Sequence, residues 1–320
     1  MHVLHVDENH PLLLDNLAQA GFKNTLAYKD SKEEILKRID QFEGIIIRSR
    51  FPLDAAFLDR ATNLKFIGRV GAGVENIDLA KAEEKGIQLF AAPLGNSNAV
   101  GEHALGMLLS LFNKLQLSNQ SIRQGNWLRE EHRGLELEGK TIGIIGYGTM
   151  GKSFAKKLLG FAVKQVIYYD ILPMEEDGIA TQVSLEEVQA TADVLSLHTP
   201  QTPLTVGMID TKFINQMKHN FWLLNTARGS AVVTDALVAG LKNNKVLGAG
   251  LDVLEYESSS FENIFKAQKD NPSFSYLLGS EKVILSPHVA GWTVESHSKL
   301  AQIISEKICS AFGTNLKNKS

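Results

Sequence analysis

Short β-branched and apolar runs alternate with stretches of helical period along the whole chain. The first half offers HVLHV (2–6), TLAY (25–28), GIIIRS (44–49), LKFIGRV (64–70) and IQLFAA (87–92). Between them lie helix-like stretches such as PLLLDNLAQAG, closed by Gly21, and SKEEILKRI, which opens with Ser31 and Glu34 at capping-box spacing. β-branched runs joined by helices predict parallel sheets covered on both faces.

From Ser97 to about Gln124 a longer helical pattern intervenes, of a length that suits a helix crossing between domains or lining a subunit interface. A second alternating series follows: TIGIIGYG (141–148), VIYYD (166–170), DVLSLHT (193–199), WLLNTARG (222–229), VLGAGLDV (246–253) and KVILSPH (282–288). Six strands with intervening helices make a complete doubly wound nucleotide-binding unit. The last helical pattern, VESHSKLAQIISEKICSAF, is expected to return to the first domain. The predicted class is therefore α/β with two doubly wound parallel-sheet domains. A Rossmann domain over 97–286 is inserted into a discontinuous, flavodoxin-like domain over 1–96 and 287–320.

Composition narrows the partners. At 320 residues the chain can bury two cores, and its 44% hydrophobic and 22% charged fractions are ordinary for a globular enzyme. A net charge of -3 makes no electrostatic case for nucleic acid or anionic membrane. The one cysteine, Cys309, sits in an amphipathic helical pattern, which reads as a packing residue in a reducing compartment. The N-terminus lacks a basic segment followed by an apolar one, and no run approaches the roughly 18 apolar residues of a membrane span. A cytoplasmic location is expected, with a frayed NLKNKS tail.

GYGTMG, Gly146 to Gly151, is G-x-G-x-x-G placed after a strand and at the opening of a helix, the setting that a dinucleotide fingerprint requires. Gly146 permits the tight turn, Gly148 lets backbone approach a pyrophosphate, and Gly151 lets helix pack on strand. Asp170, 19 residues after Gly151, ends the next strand, where a carboxylate accepts ribose hydroxyls and repels a 2′-phosphate. Ile171, Leu172 and Pro173 supply no cation for that phosphate, so NAD is expected over NADP. GAGVEN (71–76) lacks the third glycine and is not a second fingerprint.

Hydride chemistry on a carbonyl needs a proton donor and a cation to orient the substrate. Three later strands end in such groups. Arg228 follows one, Asp252 and Glu257 follow the next, and His288 follows the last. A lone histidine more often serves structure than catalysis; a guanidinium and a carboxylate at neighbouring strand ends change that balance. His103, inside the long helix, reads as a packing residue, and no histidine or cysteine pair has zinc spacing, so no metal is expected.

The ordered set GRVGAGVENIDL, GYGTMG, YYD, LHTP, NTARG, GLDV with a following glutamate, and SPH resembles the D-isomer-specific 2-hydroxyacid dehydrogenases over about residues 44–305. The resemblance implies that Arg228 binds the substrate carboxylate, that His288 is the acid/base, and that Glu257, rather than Glu255, pairs with it. It places Asp252 near the nicotinamide amide and His198 near the adenosine. It adds Thr149, Met150, Thr199, Pro200, Thr226, Ala227 and Gly291 to the cofactor site. A homodimer is the family expectation, and Trp127 and Arg129 match a segment that reaches the neighbouring subunit's site in several members.

Within the family, the branch acting on 3-phosphoglycerate is the nearest pattern. It carries arginines on the loops where Arg48-Ser49 and Arg69 stand here. With the stretch Val70, Gly71, Ala72 and Gly73 they form a plausible phosphate cradle, and Asn96 matches a position near the substrate. Three features depart from that branch. Ser258 replaces a proline, the 258–281 stretch is long, and Trp292 stands where serine is common. The chain stops near residue 320, so feedback through an appended regulatory domain is not expected. Reduction of glyoxylate or hydroxypyruvate, or action on another D-2-hydroxy acid, is the alternative within the class, and an NAD(H)-sensing partner-binding protein is the alternative outside it.

Overall fold

The computed structural model describes residues 1–257, 264–265, 268 and 270–313. Ser258 and eight further positions of the long stretch that begins there (259–263, 266, 267 and 269), together with the NLKNKS tail, lie outside the described residues. The chain divides into two compact units. Of the described residues, one holds Met1–Asn96 and 292–313; the other holds Ser97–Glu257 and those from 264 to 291. The first break falls within the helix Pro93–Phe112, and the second leaves His288 with the second unit.

The first unit is built on five parallel strands, β1 (His2–His5), β2 (Lys23–Leu26), β3 (Gly44–Ile47), β4 (Phe66–Arg69) and β5 (Gln88–Ala91), in the order β2-β1-β3-β4-β5. All four residues of GIII in β3 are buried, as an unbroken apolar run requires. One face packs Leu4, Ile45, Ile47, Phe57 and Ile67. The other packs Val3, Ile46 and Phe66 against Leu300, Ala301, Ile304 and Ile308 of the helix Val294–Phe312, with Cys309 at the cluster's edge. Four apolar positions at helical spacing, each contributing about 1.5–3 kcal/mol when large and fully buried, bind this helix to the sheet. The second edge strand covers Lys23–Leu26 rather than the expected 25–28, because an edge strand carries little apolar signal.

The second unit carries seven parallel strands. They are β6 (Thr141–Ile145), β7 (Gln165–Tyr169), β8 (Thr181–Gln182), β9 (Val194–Leu197), β10 (Phe221–Asn225), β11 (Val246–Leu251) and β12 (Val283–Leu285). Their order is β12-β11-β10-β9-β6-β7-β8. The chain turns back between β6 and β9, so those strand ends flank the switch point where ligands bind in open α/β sheets. The six expected strands are present; β8, two exposed residues beyond β7, is too short to leave a periodic signal.

The expected 97–124 helix is two helices, Pro93–Phe112 and Leu115–Arg123. The break falls at Lys114, whose φ of 50° is left-handed, and its ammonium bonds the Glu131 carbonyl. Apolar spacing runs through such a break unmarked.

Candidate functional site

Read across the second sheet, the carboxyl ends of adjacent strands present one after another the groups expected to do chemistry. Gly146–Gly151 follow β6 and Asp170 follows β7. On the other side of β6, His198 to Pro200 follow β9, Thr226 to Arg228 follow β10, Asp252 and Glu257 follow β11, and His288 follows β12.

The three fingerprint glycines do three different things. Gly146 has a φ of +89°, and a β-carbon there would lie 2.8 Å from the His198 carbonyl oxygen. A β-carbon on Gly151 would lie 2.2 Å from the Gly146 carbonyl oxygen, so helix and turn touch through that hydrogen. At Gly148 a β-carbon would meet nothing within 4 Å. That open space sits at the start of the nine-residue helix Thr149–Lys157, whose first-turn N–H groups and Thr149–Met150 backbone form an anion-binding end. Asp170 accepts the Tyr147 N–H at 2.8 Å and the Leu172 N–H at 3.0 Å, which fixes its carboxylate beside the turn. The hydroxyls of Thr199 and Thr226 are buried without a hydrogen-bond partner in the protein. Such atoms at these strand ends fit a polar ligand such as a dinucleotide.

His198 has a different character. Its ring is buried against Phe154, its Nε2 bonds the Ser196 hydroxyl at 2.9 Å, and burial pulls its pKa down to about 3. It is a neutral core histidine whose carbonyl, not its ring, faces the glycine turn.

The Asn225 side chain donates to the Arg228 carbonyl at 3.0 Å and accepts the Ala227 N–H at 3.1 Å, building the turn after β10. Arg228 places one N–H on the Ala227 carbonyl at 2.7 Å. Gly229 is obligatory beside it, since a β-carbon would lie 1.9 Å from the Leu254 carbonyl oxygen.

His288 Nδ1 lies 2.7 Å from Glu257 Oε2, and the other oxygen of Glu257 accepts the Leu254 N–H at 2.5 Å. Glu255, two residues earlier, instead accepts the Thr234 N–H that opens the helix Thr234–Lys242. With the carboxylate as acceptor the proton sits on Nδ1. His288 itself has a φ of 54°, left-handed for a residue with a side chain. Asp252, 1% exposed, accepts the Val289 and Ala290 N–H groups at 2.8 Å each and the Ser286 hydroxyl, and its carbonyl takes the His288 N–H at 2.8 Å. Asp252 thus holds the His288 turn through its carboxylate. Ser286 was not singled out in the sequence; a hydroxyl just before the Pro-His pair was the available signal.

In the first unit Arg48 and Ser49 follow β3, and Val70 to Gly73 follow β4. The Arg48 backbone N–H donates to Asp7 at 2.5 Å, and its guanidinium lies 4.1 Å from the Trp292 ring centroid. Arg50, the second arginine of RSR, is structural, bonding the carbonyls of Val6, Ala27 and Asp30. Arg69 folds back over Gly71, which has room for it only because it lacks a β-carbon. Of the expected backbone cradle, the Val70 and Gly71 N–H groups are already taken by the Ile47 and Arg69 carbonyls, so Ala72 and Gly73 remain to complete it. Asn96 keeps a buried side-chain oxygen without a hydrogen-bond partner. Trp127 is 83% exposed and Arg129 is exposed beside it. Among the described residues no helix is long and apolar enough to cross a membrane, and no group of three or more His, Cys, Asp or Glu is placed to hold a metal.

A doubly wound sheet with this fingerprint at its switch point is the architecture of a dinucleotide-binding domain. The chain belongs to the D-isomer specific 2-hydroxyacid dehydrogenase family: residues 105–290 match that family's NAD-binding domain. It is 34% identical over 311 residues to D-3-phosphoglycerate dehydrogenase of Archaeoglobus fulgidus, covering 96% of this chain and 56% of that protein. It is also 34% identical to hydroxypyruvate reductase of Thermotoga maritima, covering 88% of this chain and 89% of the relative. Among solved structures, a glyoxylate reductase from Paecilomyes thermophila superposes with a TM-score of 0.85 at 26% identity, covering 97% of this chain and 95% of that one.

Proposed function

We propose that the chain catalyses NAD-dependent hydride transfer between a D-2-hydroxy acid and its 2-keto acid, with His288 as acid/base, Glu257 as its partner and Arg228 as the clamp on the substrate carboxylate. The observation that carries this reading is the 2.7 Å bond between Glu257 and His288, which follow the neighbouring strands β11 and β12, with Arg228 following β10 on the other side of β11. When bound, the nicotinamide supplies the hydride on reduction and accepts it on oxidation. Glu257 holds the proton on Nδ1, so Nε2 gives a proton to the substrate oxygen in one direction and takes it in the other. The planar fork of Arg228 suits a carboxylate and would orient the adjoining carbonyl. Asp170 supports NAD over NADP, since its carboxylate suits ribose hydroxyls and repels a 2′-phosphate.

The substrate pair in this reading is 3-phosphoglycerate and 3-phosphohydroxypyruvate, which would put the enzyme in serine biosynthesis. Arg48 and Arg69, on adjacent strand ends of the first unit, support it as cations for the phosphate. Reduction of unphosphorylated glyoxylate or hydroxypyruvate is the second reading, favoured by the Trp292 ring that already lies against Arg48. A homodimer belongs to the same proposal, supported by the exposed Trp127, and light scattering on the purified protein tests it.

The deciding experiment follows NADH oxidation with 3-phosphohydroxypyruvate, hydroxypyruvate and glyoxylate under identical conditions. Preference for the phosphorylated acid is expected. Preference for an unphosphorylated acid keeps the hydride chemistry and returns Arg48 and Arg69 to structural roles. Turnover of none of them removes both substrate readings and leaves another D-2-hydroxy acid, or NAD(H) sensing, to be tested.

A further inference from the structure

We infer that His103 and Ser286 are positioning residues for the reaction, acting through Asp252 on the turn that carries His288. The inference rests on His288 as the acid/base and adds a layer behind it. A side-chain-bearing residue in the left-handed region is strained and persists only where its surroundings over-determine it. At His288 the surroundings are Asp252, which accepts from the N–H groups of residues 288, 289 and 290 through its carbonyl and its two carboxylate oxygens. The carboxylate is therefore the part on which the orientation of the imidazole depends.

Two side chains hold that carboxylate in turn. Ser286 donates its one hydroxyl proton to Asp252 Oδ1, while its N–H is fixed on the Leu251 carbonyl at 3.0 Å. His103 Nε2 lies 2.9 Å from the Ser286 oxygen and 3.6 Å from Asp252 Oδ1. Because the serine proton is committed to Asp252, the serine oxygen can only accept from His103, which fixes the proton on Nε2 of that ring. The chain of donors runs from His103 to Ser286 to Asp252, all within the second unit. His103 stands on the helix Pro93–Phe112, so a rigid element anchors the turn from behind. A packing role for His103 would not need its Nε2 aimed at the hydroxyl oxygen that bonds Asp252.

Ser286→Ala and His103→Leu remove the two links, and Ser286→Thr and His103→Gln keep a hydroxyl and a donor. In whichever 2-keto acid the wild type reduces, each disruptive variant is expected to lose about tenfold in kcat, with KM and NADH affinity within about twofold of wild type. The conservative variants recover most of that loss. Unchanged kcat in both disruptive variants, with only the melting temperature lowered, overturns the inference, as does a loss that falls on KM instead. Should the wild type reduce none of the acids, the substrate reading fails by itself. The coupling is then read from the His288 Cε1–H proton resonance, assigned with His288→Asn. A resonance shifted in Ser286→Ala supports the coupling, and an unmoved one ends it.

Discussion

The Trp292 ring lies against Arg48, its centroid 4.1 Å from the guanidinium carbon, and His297 packs on the same ring at 5.0 Å. A guanidinium stacked on indole keeps its N–H edge available while losing water from one face, which strengthens the bonds it makes along that edge. Burial is the main force lowering the Arg48 pKa, opposed by the Asp7 carboxylate, so the cation is already partly stripped of solvent. Trp292 is thus a support for Arg48 as much as an obstacle to a large substrate group. A stacking contact of about 1 kcal/mol corresponds to roughly fivefold in affinity. Trp292→Ser is therefore expected to lower kcat/KM for 3-phosphohydroxypyruvate about fivefold while changing that for hydroxypyruvate much less. A rise for the phosphorylated acid would instead identify the ring as the group that excludes phosphate.

The two glutamates after Asp252 separate by function in a way that two substitutions can read. Glu257→Gln removes the charge beside His288 but keeps an acceptor, and turnover is expected to fall by about 10²-fold, within the scale of general acid–base catalysis. His288→Asn should fall at least as far, with NADH binding retained. Glu255→Gln acts on the first N–H of the helix Thr234–Lys242 and should cost about 1 kcal/mol of stability with near-normal turnover. Steady-state kinetics beside thermal melts distinguish them. Equal kinetic losses at both positions would contradict the assignment of Glu257.

Much of this site is legible in the sequence because strand ends are. An apolar run followed by Asn-Thr-Ala-Arg-Gly, or by Ser-Pro-His, marks where a buried strand meets a ligand-facing turn, and parallel topology brings such ends together. The choice of Glu257 over Glu255 comes from the resemblance to the family, and the bond from His288 to Glu257 agrees with it. What holds the His288 turn is not legible. The bond from Val289 to Asp252 joins residues 37 apart, and it depends on the register of β12 beside β11 and on one left-handed residue. Hydrophobic period encodes neither. His103 reads as core for the same reason: its partner Ser286 is 183 residues away. The break at Lys114 hides because apolar spacing continues through it.

The glycine fingerprint can be dissected by adding one methyl at a time. Gly148 has an extended backbone and open space where a β-carbon would go, so Gly148→Ala should fold and melt as the wild type does. If that space admits the pyrophosphate, the variant loses at least tenfold in NADH affinity, measured by fluorescence titration. Gly151→Ala pushes a methyl to 2.2 Å from a backbone oxygen, so it should lower the melting temperature whether or not NADH is present. Normal NADH affinity in Gly148→Ala would remove that glycine from the cofactor site.

Buried histidines set the response of stability to acid. Burial lowers the pKa of His198 to about 3 and that of His5 to about 4, the latter offset slightly by its bond to Asn24. In the unfolded chain both titrate near 6.5. Below that value the unfolded state binds protons that the folded state refuses, so stability is fully present above about pH 6.5 and falls as pH drops from there toward 4. The melting temperature should decline over that window even where the carboxylates remain ionised. His198→Gln keeps a polar partner for Ser196 and removes the titrating group. Its melting temperature at pH 7.5 should be lower, from lost packing against Phe154, yet its decline between pH 6.5 and 4.5 should be visibly shallower than that of the wild type. An equally steep decline in the variant would show that His198 is not among the groups that couple folding to protons.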